Sequence, residues 1–290
     1  MKYTRRMPRS AEATAVVTVS YNSSGQFASF LGSLAYEIDN GYPVVIADNG
    51  SADIDETRRV ASAHGARVLA LAENHGYGGA VNLAVRTLPE SVDAILICNP
   101  DIIVSPRSIE VLRERLDSDE RIAAVGPRIL NEDGTVYPSA RSIPSLRTGI
   151  GHALFVRVWP TNPWTRAYHS ERRLEARDVG WLSGACVLVR RRAFERIGGF
   201  DEAYFMYFED VDLGFRFSRS GYRNRYEPAA SVIHHGGLST RSESKRMLIV
   251  HHDSAYRFLA RKYSGPLLAP VRVALRVALS ARAWLLTRGH

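Results

Sequence analysis

Residues 15–51 read AVVTVSYNSSGQFASFLGSLAYEIDNGYPVVIADNGS, and their pattern decides the fold. Two short apolar runs, Ala15–Ser20 and Val44–Asp48, have the length and β-branched content of buried strands. Between them Phe27, Phe30, Leu31, Leu34 and Ile38 recur at helical spacing and make one apolar face. Working outward, Asp53–His64 and Tyr77–Thr87 read as helices, and Arg67–Leu71 (RVLAL) and Ala94–Asn99 (AILICN) as strands. The order is β-α-β-α-β-α-β, which predicts an α/β fold with a Rossmann-like, mostly parallel sheet and helices on both faces. Ligands are then expected beyond the carboxyl ends of the strands.

The second half is less regular. Residues 138–180 are rich in Pro, Arg and aromatics and read as a long connection or lid. A strand at Gly184–Arg190 follows, then a helix from about Asp210 to Ser220 that Gly221 terminates. A short strand ends at Ile233, and two helices close the chain, at about Ser242–Tyr263 and Pro266–Thr287. In the last of these Leu267, Leu268, Val271, Leu275, Ala278, Leu285 and Leu286 share a face that Arg282 interrupts, while Val273, Val277 and Trp284 lie elsewhere. Arginines that snorkel would let such a helix lie in an anionic interface; packing on the body or on a second copy is the alternative.

With 290 residues, 45% of them apolar, the chain can bury a sizeable core, and its 22 Gly and 13 Pro exclude collagen-like and low-complexity classes. Cys98 and Cys186 are too few for a disulfide framework and wrongly spaced for a zinc site, so buried free thiols are expected. The net charge of +8 sits at the ends: residues 1–14 carry +3, residues 254–290 carry +7 without one acid, and the body 15–253 carries −2. A nucleic-acid-binding domain would carry its cations on the folded body, so basic ends point to an anionic membrane surface and not to nucleic acid. Ala15–Val19 is too short for a signal-peptide core, and no 18-residue uncharged apolar run exists, so the expected location is cytoplasmic, peripheral on the inner face of the plasma membrane.

Three strands stop on polar residues: Ser20-Tyr21-Asn22, Asp48-Asn49-Gly50-Ser51 and Asn99-Pro100-Asp101. One such stop is ordinary turn chemistry; three on one sheet edge predict a polar pocket. The run Asn74-His75-Gly76-Tyr77-Gly78-Gly79-Ala80-Val81-Asn82 lacks the third glycine of a dinucleotide fingerprint, yet its turn could let backbone approach a ligand. Asp101 is placed either to cap a helix or to hold a divalent cation against a diphosphate, because Mg²⁺ and Mn²⁺ combine one or two carboxylates with phosphate oxygens. The densest signal is Phe205-Met206-Tyr207-Phe208-Glu209-Asp210-Val211-Asp212, three acids after an aromatic run. The helix dipole accounts for one or two of them, but burial beside aromatics raises a carboxylate's pKa and suits a general base. His234 and His235 end a strand, and one of them could complete a metal site with Asp101.

In this order the pieces VVTVSYNS, VVIADNGSAD, ENHGYGGAVNLAV, ILICNPDIIV, WLSGACVLVRRRAFERIGGFDEAYFMYFEDVDLGFR and SVIHHGGLST resemble the inverting nucleotide-sugar glycosyltransferases of family 2, over about Ala15 to Ser239. The resemblance implies a GT-A fold and, within the family, is to bacterial rhamnosyltransferases that use dTDP-L-rhamnose and act on N-acetylglucosaminyl-diphospho-polyprenol in cell-wall or surface polysaccharide synthesis. With the charge and helix pattern of the two ends, the expected division is a basic extension at 1–14, a catalytic domain at 15–241 (nucleotide-sugar half 15–101, acceptor half 102–241) and a membrane-associating helical segment at 242–290. By it, Tyr21, Asn22, Asp48 and Asn49 would meet the donor's nucleoside, and Asn74, Gly78 and Asn82 would line the donor pocket. Asp101 would hold Mg²⁺ or Mn²⁺, although Asn99 stands where the family's metal motif has its first acid. Asp210, with Glu209 beside it, would be the base; Trp181, Gly184 and Asp212 would face the acceptor, and His234 would match the distal histidine. A galactofuranosyl- or hexosaminyltransferase using a UDP-sugar would need much the same residues. A sugar-nucleotide nucleotidyltransferase fits less well, since no cation follows the first strand until Arg58, and an adaptor would leave the acids unexplained.

Overall fold

The computed structural model describes residues 13–146, 174–236 and 244–288. The first half alternates as expected: β1 (Thr14–Ser20), α1 (Phe27–Ser33), α2 (Ala35–Asp39), β2 (Val44–Asp48), α3 (Ile54–Ala63), β3 (Arg67–Ala70), α4 (Gly76–Arg86) and β4 (Ala94–Cys98). The helix expected across 27–38 is broken. Ser33 donates its hydroxyl to Phe30 O at 2.7 Å and accepts the Val104 N–H at 3.1 Å, drawing the chain out of one continuous helix.

The second half contains β5 (Ile102–Val104), α5 (Ser108–Asp117), β6 (Ile122–Asn131), β7 (Val136–Tyr137), β8 (Ala140–Arg141), β9 (Arg177–Val179), β10 (Trp181–Leu182), β11 (Cys186–Arg190), α6 (Arg191–Arg196), α7 (Glu209–Arg219) and β12 (Arg223–His234). The strand expected to be short and to end at Ile233 is β12, twelve residues long. Pro228, which has no N–H to give, falls in its irregularity between Glu227 and Ser231, and that hides its length in the sequence. Of the connection at 138–180, β8 pairs with β10 and β9 with β12, and residues 147–173 lie outside the described residues.

The main sheet runs β3-β2-β1-β4-β11-β6-β12-β5. Its first four strands are parallel, while β11 is antiparallel to both β4 and β6, so the whole sheet is mixed. Since β6 also runs parallel to β12, six strands (β1, β2, β3, β4, β6 and β12) end on one edge, and β11 begins there. Two cores flank the sheet. Val81 and Val85 of α4, Phe194 of α6 and Phe217 of α7 fill one side; Phe30 and Leu31 of α1, Val60 of α3 and Leu112 of α5 fill the other. Every residue of β1 is buried, as a central strand covered on both faces requires. Cys98 and Cys186 are free and buried as expected, and they face each other across β4 and β11; burial pushes both thiols up.

Two C-terminal helices, α8 (Ser244–Lys262) and α9 (Ala269–Arg288), form a hairpin. One stripe of α8 grips the 201–212 segment. His251 packs edge-on against Tyr207 and Phe208, Ser254 donates to Met206 O at 2.9 Å, Phe258 is fully buried beside Phe208 and Phe215, and Arg261 pairs with Asp201 and Asp212. The apolar faces of α9 are arranged differently from the expectation: Leu275 and Leu279 turn half-buried toward α8, and Val273, Val277 and Trp284 are exposed. Among the described residues no helix is long and apolar enough to cross a membrane.

Candidate active site

The strand ends meet in a cavity of about 480 Å³. Tyr21 after β1, Asn49 after β2, Asn99 and Asp101 after β4, Asn131 at the end of β6 and His234 at the end of β12 all line it. Gly184 and Ala185 enter from the turn before β11, and Tyr207, Glu209 and Asp210 close it from the start of α7.

The acids arrive through a strained turn. Tyr207 and Phe208 both hold left-handed backbone, at φ 65° and 66°, where residues with a Cβ are disfavoured. The packing of His251 and Phe258 on these rings sets that cost against buried contact. As a result α7 starts abruptly, with two consecutive carboxylates at the cavity.

Those carboxylates are not equivalent. Asp210 accepts the Gly184 N–H on Oδ2 at 3.0 Å and the Val211 N–H on Oδ1 at 2.8 Å. Burial raises its pKa, and these N–H donors pull it back. Glu209 is more strongly desolvated: its Oε2 is buried with no partner among the described residues, and burial, then the charge on Asp210, pushes it up to about 8. The two acids titrate as a pair, and the N–H donors favour the charged form on Asp210 over Glu209.

At the opposite wall, His234 Nε2 lies 3.1 Å from Asp101 Oδ1. The contact is not aligned as a hydrogen bond, and Oδ1 is buried with no partner among the described residues. Two acceptor atoms facing each other at this distance suit a shared cation, since cis ligands of an octahedral ion with bonds of about 2.1 Å sit about 3 Å apart. Among the described residues no third His, Cys, Asp or Glu joins them, so a diphosphate and water would supply the other ligands. His235 points away, its Nδ1 2.5 Å from Glu132 Oε1.

Several expected contacts take other roles. Asn22 does not line the cavity; its N–H donates to Ser51 Oγ at 3.0 Å and its Oδ1 accepts from Ala52, clasping two strand ends together. Asp48 is fully buried behind the wall, where Oδ1 accepts the Ser51 N–H. Gly78 is a packing glycine: a Cβ there would stand 2.7 Å from Phe200 Cβ. Asn82 is turned from the cavity, exchanging hydrogen bonds with the backbone of Phe200 at 2.9 Å in each direction. Trp181 sits outside the cavity with its indole donating to Ser142 O, and Asp212 is fully buried between Arg216 and Arg261. Asn22, Asp48, Asn82 and Trp181 are thus spent on backbone, Gly78 on room for Phe200, and Asp212 on two arginines.

The glycine-rich turn is likewise built for backbone to meet backbone. Gly76 (φ +72°) would place a Cβ 2.3 Å from Phe205 O, the same oxygen that accepts the Tyr77 N–H at 3.1 Å. Asn49 and Asn74 lock this turn: Asn49 Nδ2 donates to Asn74 Oδ1 at 2.8 Å, and that oxygen also accepts the Gly76 N–H. Tyr77 escaped the sequence reading. Its hydroxyl donates to Gly184 O at 2.8 Å, so one side chain spans from α4 to the residue whose N–H holds Asp210. Asn131 and Tyr137 were also missed, although Asn131 repeats the polar stop seen at β1, β2 and β4; the Tyr137 ring lies edge-on to His234 at 6.0 Å.

Residues 15–198 match the glycosyl transferase family 2 profile, and residues 152–286 match glycosyl transferase family group 2. The chain is 43% identical over 283 residues to the N-acetylglucosaminyl-diphospho-decaprenol L-rhamnosyltransferase of Mycobacterium tuberculosis, covering 94% of this chain and 92% of that protein. It is 27% identical to the rhamnosyltransferase WbbL of Escherichia coli K12, over 85% of this chain and 92% of that one. Among solved structures it resembles the mannosyltransferase PcManGT of Pyrobaculum calidifontis in complex with GDP-Man and Mn²⁺, with a TM-score of 0.59, 17% identity, and coverage of 96% of this chain and 75% of that one.

Proposed function

The chain belongs to glycosyl transferase family 2 and has the GT-A fold, and from that premise we propose that it transfers L-rhamnose from dTDP-L-rhamnose to an N-acetylglucosaminyl-diphospho-polyprenol. Such a product belongs to cell-wall or surface polysaccharide synthesis. The observation that carries the reading is that one cavity holds both Asp210, oriented by two backbone N–H groups, and the close pair of Asp101 and His234. The family membership supplies the reaction class, and similarity over nearly the whole length to a rhamnosyltransferase supplies the substrates.

In this mechanism Tyr21, Asn49 and Asn74 border the donor's nucleoside, and Asp101 and His234 take the diphosphate end. Bound between those two residues, Mg²⁺ or Mn²⁺ would neutralise the charge that grows on the departing nucleoside diphosphate. The acceptor enters past Gly184. Its hydroxyl oxygen attacks the anomeric carbon as Asp210 takes the hydroxyl proton, the bond to the diphosphate breaks on the opposite face, and configuration inverts. Glu209 stays protonated beside it, so that no second negative charge weighs on the base. A polyprenyl acceptor places the enzyme peripherally on the cytoplasmic face of the plasma membrane.

The test offers the full chain a short-chain N-acetylglucosaminyl-diphospho-prenol with dTDP-L-rhamnose, UDP-galactofuranose or UDP-N-acetylglucosamine, each with Mg²⁺ or Mn²⁺. Product is read by mass spectrometry. Rhamnosyl product from dTDP-L-rhamnose alone is expected; transfer from a UDP-sugar instead overturns the donor assignment and keeps the base.

A further inference from the structure

Helix α9 is apolar on two sides, and among the described residues only one of them is covered. Leu275, Leu279 and Ala283 turn toward α8. On the outer side Pro270, Val273, Ala274, Val277, Ala278, Ala281 and Trp284 are all exposed, Val273 and Val277 at 64% and Trp284 at 51%. At about 100° per residue these seven fall within an arc of about 140°, with no charged residue inside it from 270 to 284. Just before them Leu267 is 93% exposed. Isolated exposed apolar residues are ordinary, but a continuous helix face of this length is not.

The charge around the face identifies its partner. Arg282 borders the arc on one side, and on the other Arg276 is held back on α8 by Asp253 at 2.7 Å; the segment 254–290 as a whole has seven cations and no acid. An apolar face bordered by arginines, with a tryptophan near one end, matches an anionic lipid interface, where the rings and aliphatic carbons enter the acyl boundary and guanidinium groups stay among headgroups. A second protein copy would have to bring acids to meet the arginines, and its own α9 offers none.

We propose that this outward face of α9 is the surface by which the protein docks on an anionic membrane, a reading that rests on the lipid-linked acceptor proposed above. The opposite side of the hairpin reaches the site: α8 holds the backbone of Met206 and the rings of Tyr207 and Phe208, next to Glu209 and Asp210. Docking through α9 therefore sets the cavity at a fixed height above the bilayer, where a membrane-anchored diphosphate-sugar can present its hydroxyl.

Flotation of the full chain with phosphatidylglycerol/phosphatidylcholine vesicles tests this, with Val273→Asp/Val277→Asp as the variant. Both positions are solvent-exposed, so the fold is expected to keep its thermal midpoint. Wild type should float with the anionic vesicles, and the double variant should lose at least about tenfold in partitioning, two charged groups being expelled from the interface. With brominated lipid, Trp284→Phe should remove most of the tryptophan quenching. Failure of wild type to float, equal flotation of the double variant, or concentration-dependent self-association that the variant abolishes would each overturn the docking face. Transfer to the short-chain acceptor in solution separates the two ideas: the variant should retain it, and if wild type floats but transfers nothing, the activity falls and the surface stands.

Discussion

The backbone N–H of Gly184 donates to Oδ2 of Asp210 at 3.0 Å, and that bond sets apart two adjacent carboxylates, favouring Asp210 as the base of the mechanism proposed above. Glu209 has the same charge and lines the same cavity but has a bare, buried Oε2. Asp210 gains donors in its ionised form, whereas Glu209 is stabilised by staying neutral. Tyr77 holds the other side of the same residue through Gly184 O, so the choice between the acids is set by a chain from α4 through the turn before β11 to α7.

Asp210→Asn should keep donor affinity, since it leaves the Asp101 and His234 wall alone. Turnover should fall by about 10²–10⁴-fold, the scale of a lost general base. Calorimetry with the donor and a transfer assay check the two halves; turnover within a fewfold of wild type refutes the assignment.

Asp101→Asn and His234→Ala should each weaken donor binding in Mg²⁺ or Mn²⁺, and much less in EDTA. His235→Ala, whose ring faces Glu132, should do neither. Donor titrations with and without metal distinguish a shared cation site from a general loss of fold.

Burial of protonated Glu209 also makes stability depend on pH. Its folded pKa, about 8, lies above the unfolded value of 4.5, so between these pH values the native state holds a proton that the unfolded chain has released. Its contribution is therefore full below about pH 4.5 and is lost as pH rises toward 8. Glu209→Gln should flatten that fall, which urea midpoints measured from pH 5 to 8 on parent and variant would reveal.

Two glycines with nearly the same φ should respond differently to alanine. Gly134 (φ +77°) has nothing within 4 Å of an added Cβ, so Gly134→Ala should cost about 1 kcal/mol from backbone conformation alone. Gly76→Ala adds a collision with Phe205 O and should cost about 1–3 kcal/mol more, with loss of transfer as the acidic turn shifts. Equal denaturation midpoints for the two variants would rule out the docking role of Gly76.

Phe258→Ala should cost about 3–5 kcal/mol, the range for emptying a buried aromatic site. It should also lower kcat more than it changes donor affinity, because the ring backs Phe208. A full-length variant whose kcat is unchanged where it remains folded would show that α8 is only a support.

The parallel half of the fold was legible because it is covered on both faces: β1, β2 and β4 are wholly buried and read as unbroken apolar runs of strand length. Residue type also pointed to Asp101, Glu209, Asp210 and His234, which the structure brings to one cavity from the ends of strands and the start of a helix. It failed for Asn82, Gly78 and Asp212. An amide that holds Phe200 backbone and an amide that holds a ligand are the same letter, and only the partner distinguishes them. Tyr77 was hidden for the converse reason: its partner is the carbonyl of Gly184, 107 residues away, and no local pattern marks that contact. For α9 the sequence left open whether the leucine face meets the body or an interface, because both sides of the helix are apolar and periodicity has no signal to choose between them.

The stripe of α8 residues at 251, 254, 258 and 261 bears on where the chain can be cut. A soluble version trimmed at the last sheet strand would keep every residue that lines the cavity up to His234, yet it would remove every side chain that α8 sets behind the strained turn. The left-handed pair at Tyr207 and Phe208 would then be free to relax, carrying both acids with it. Such a fragment should bind nucleotide at the strand ends and do little else. A catalytic unit should therefore extend at least through Tyr263, whose hydroxyl accepts the Leu146 N–H at 3.0 Å.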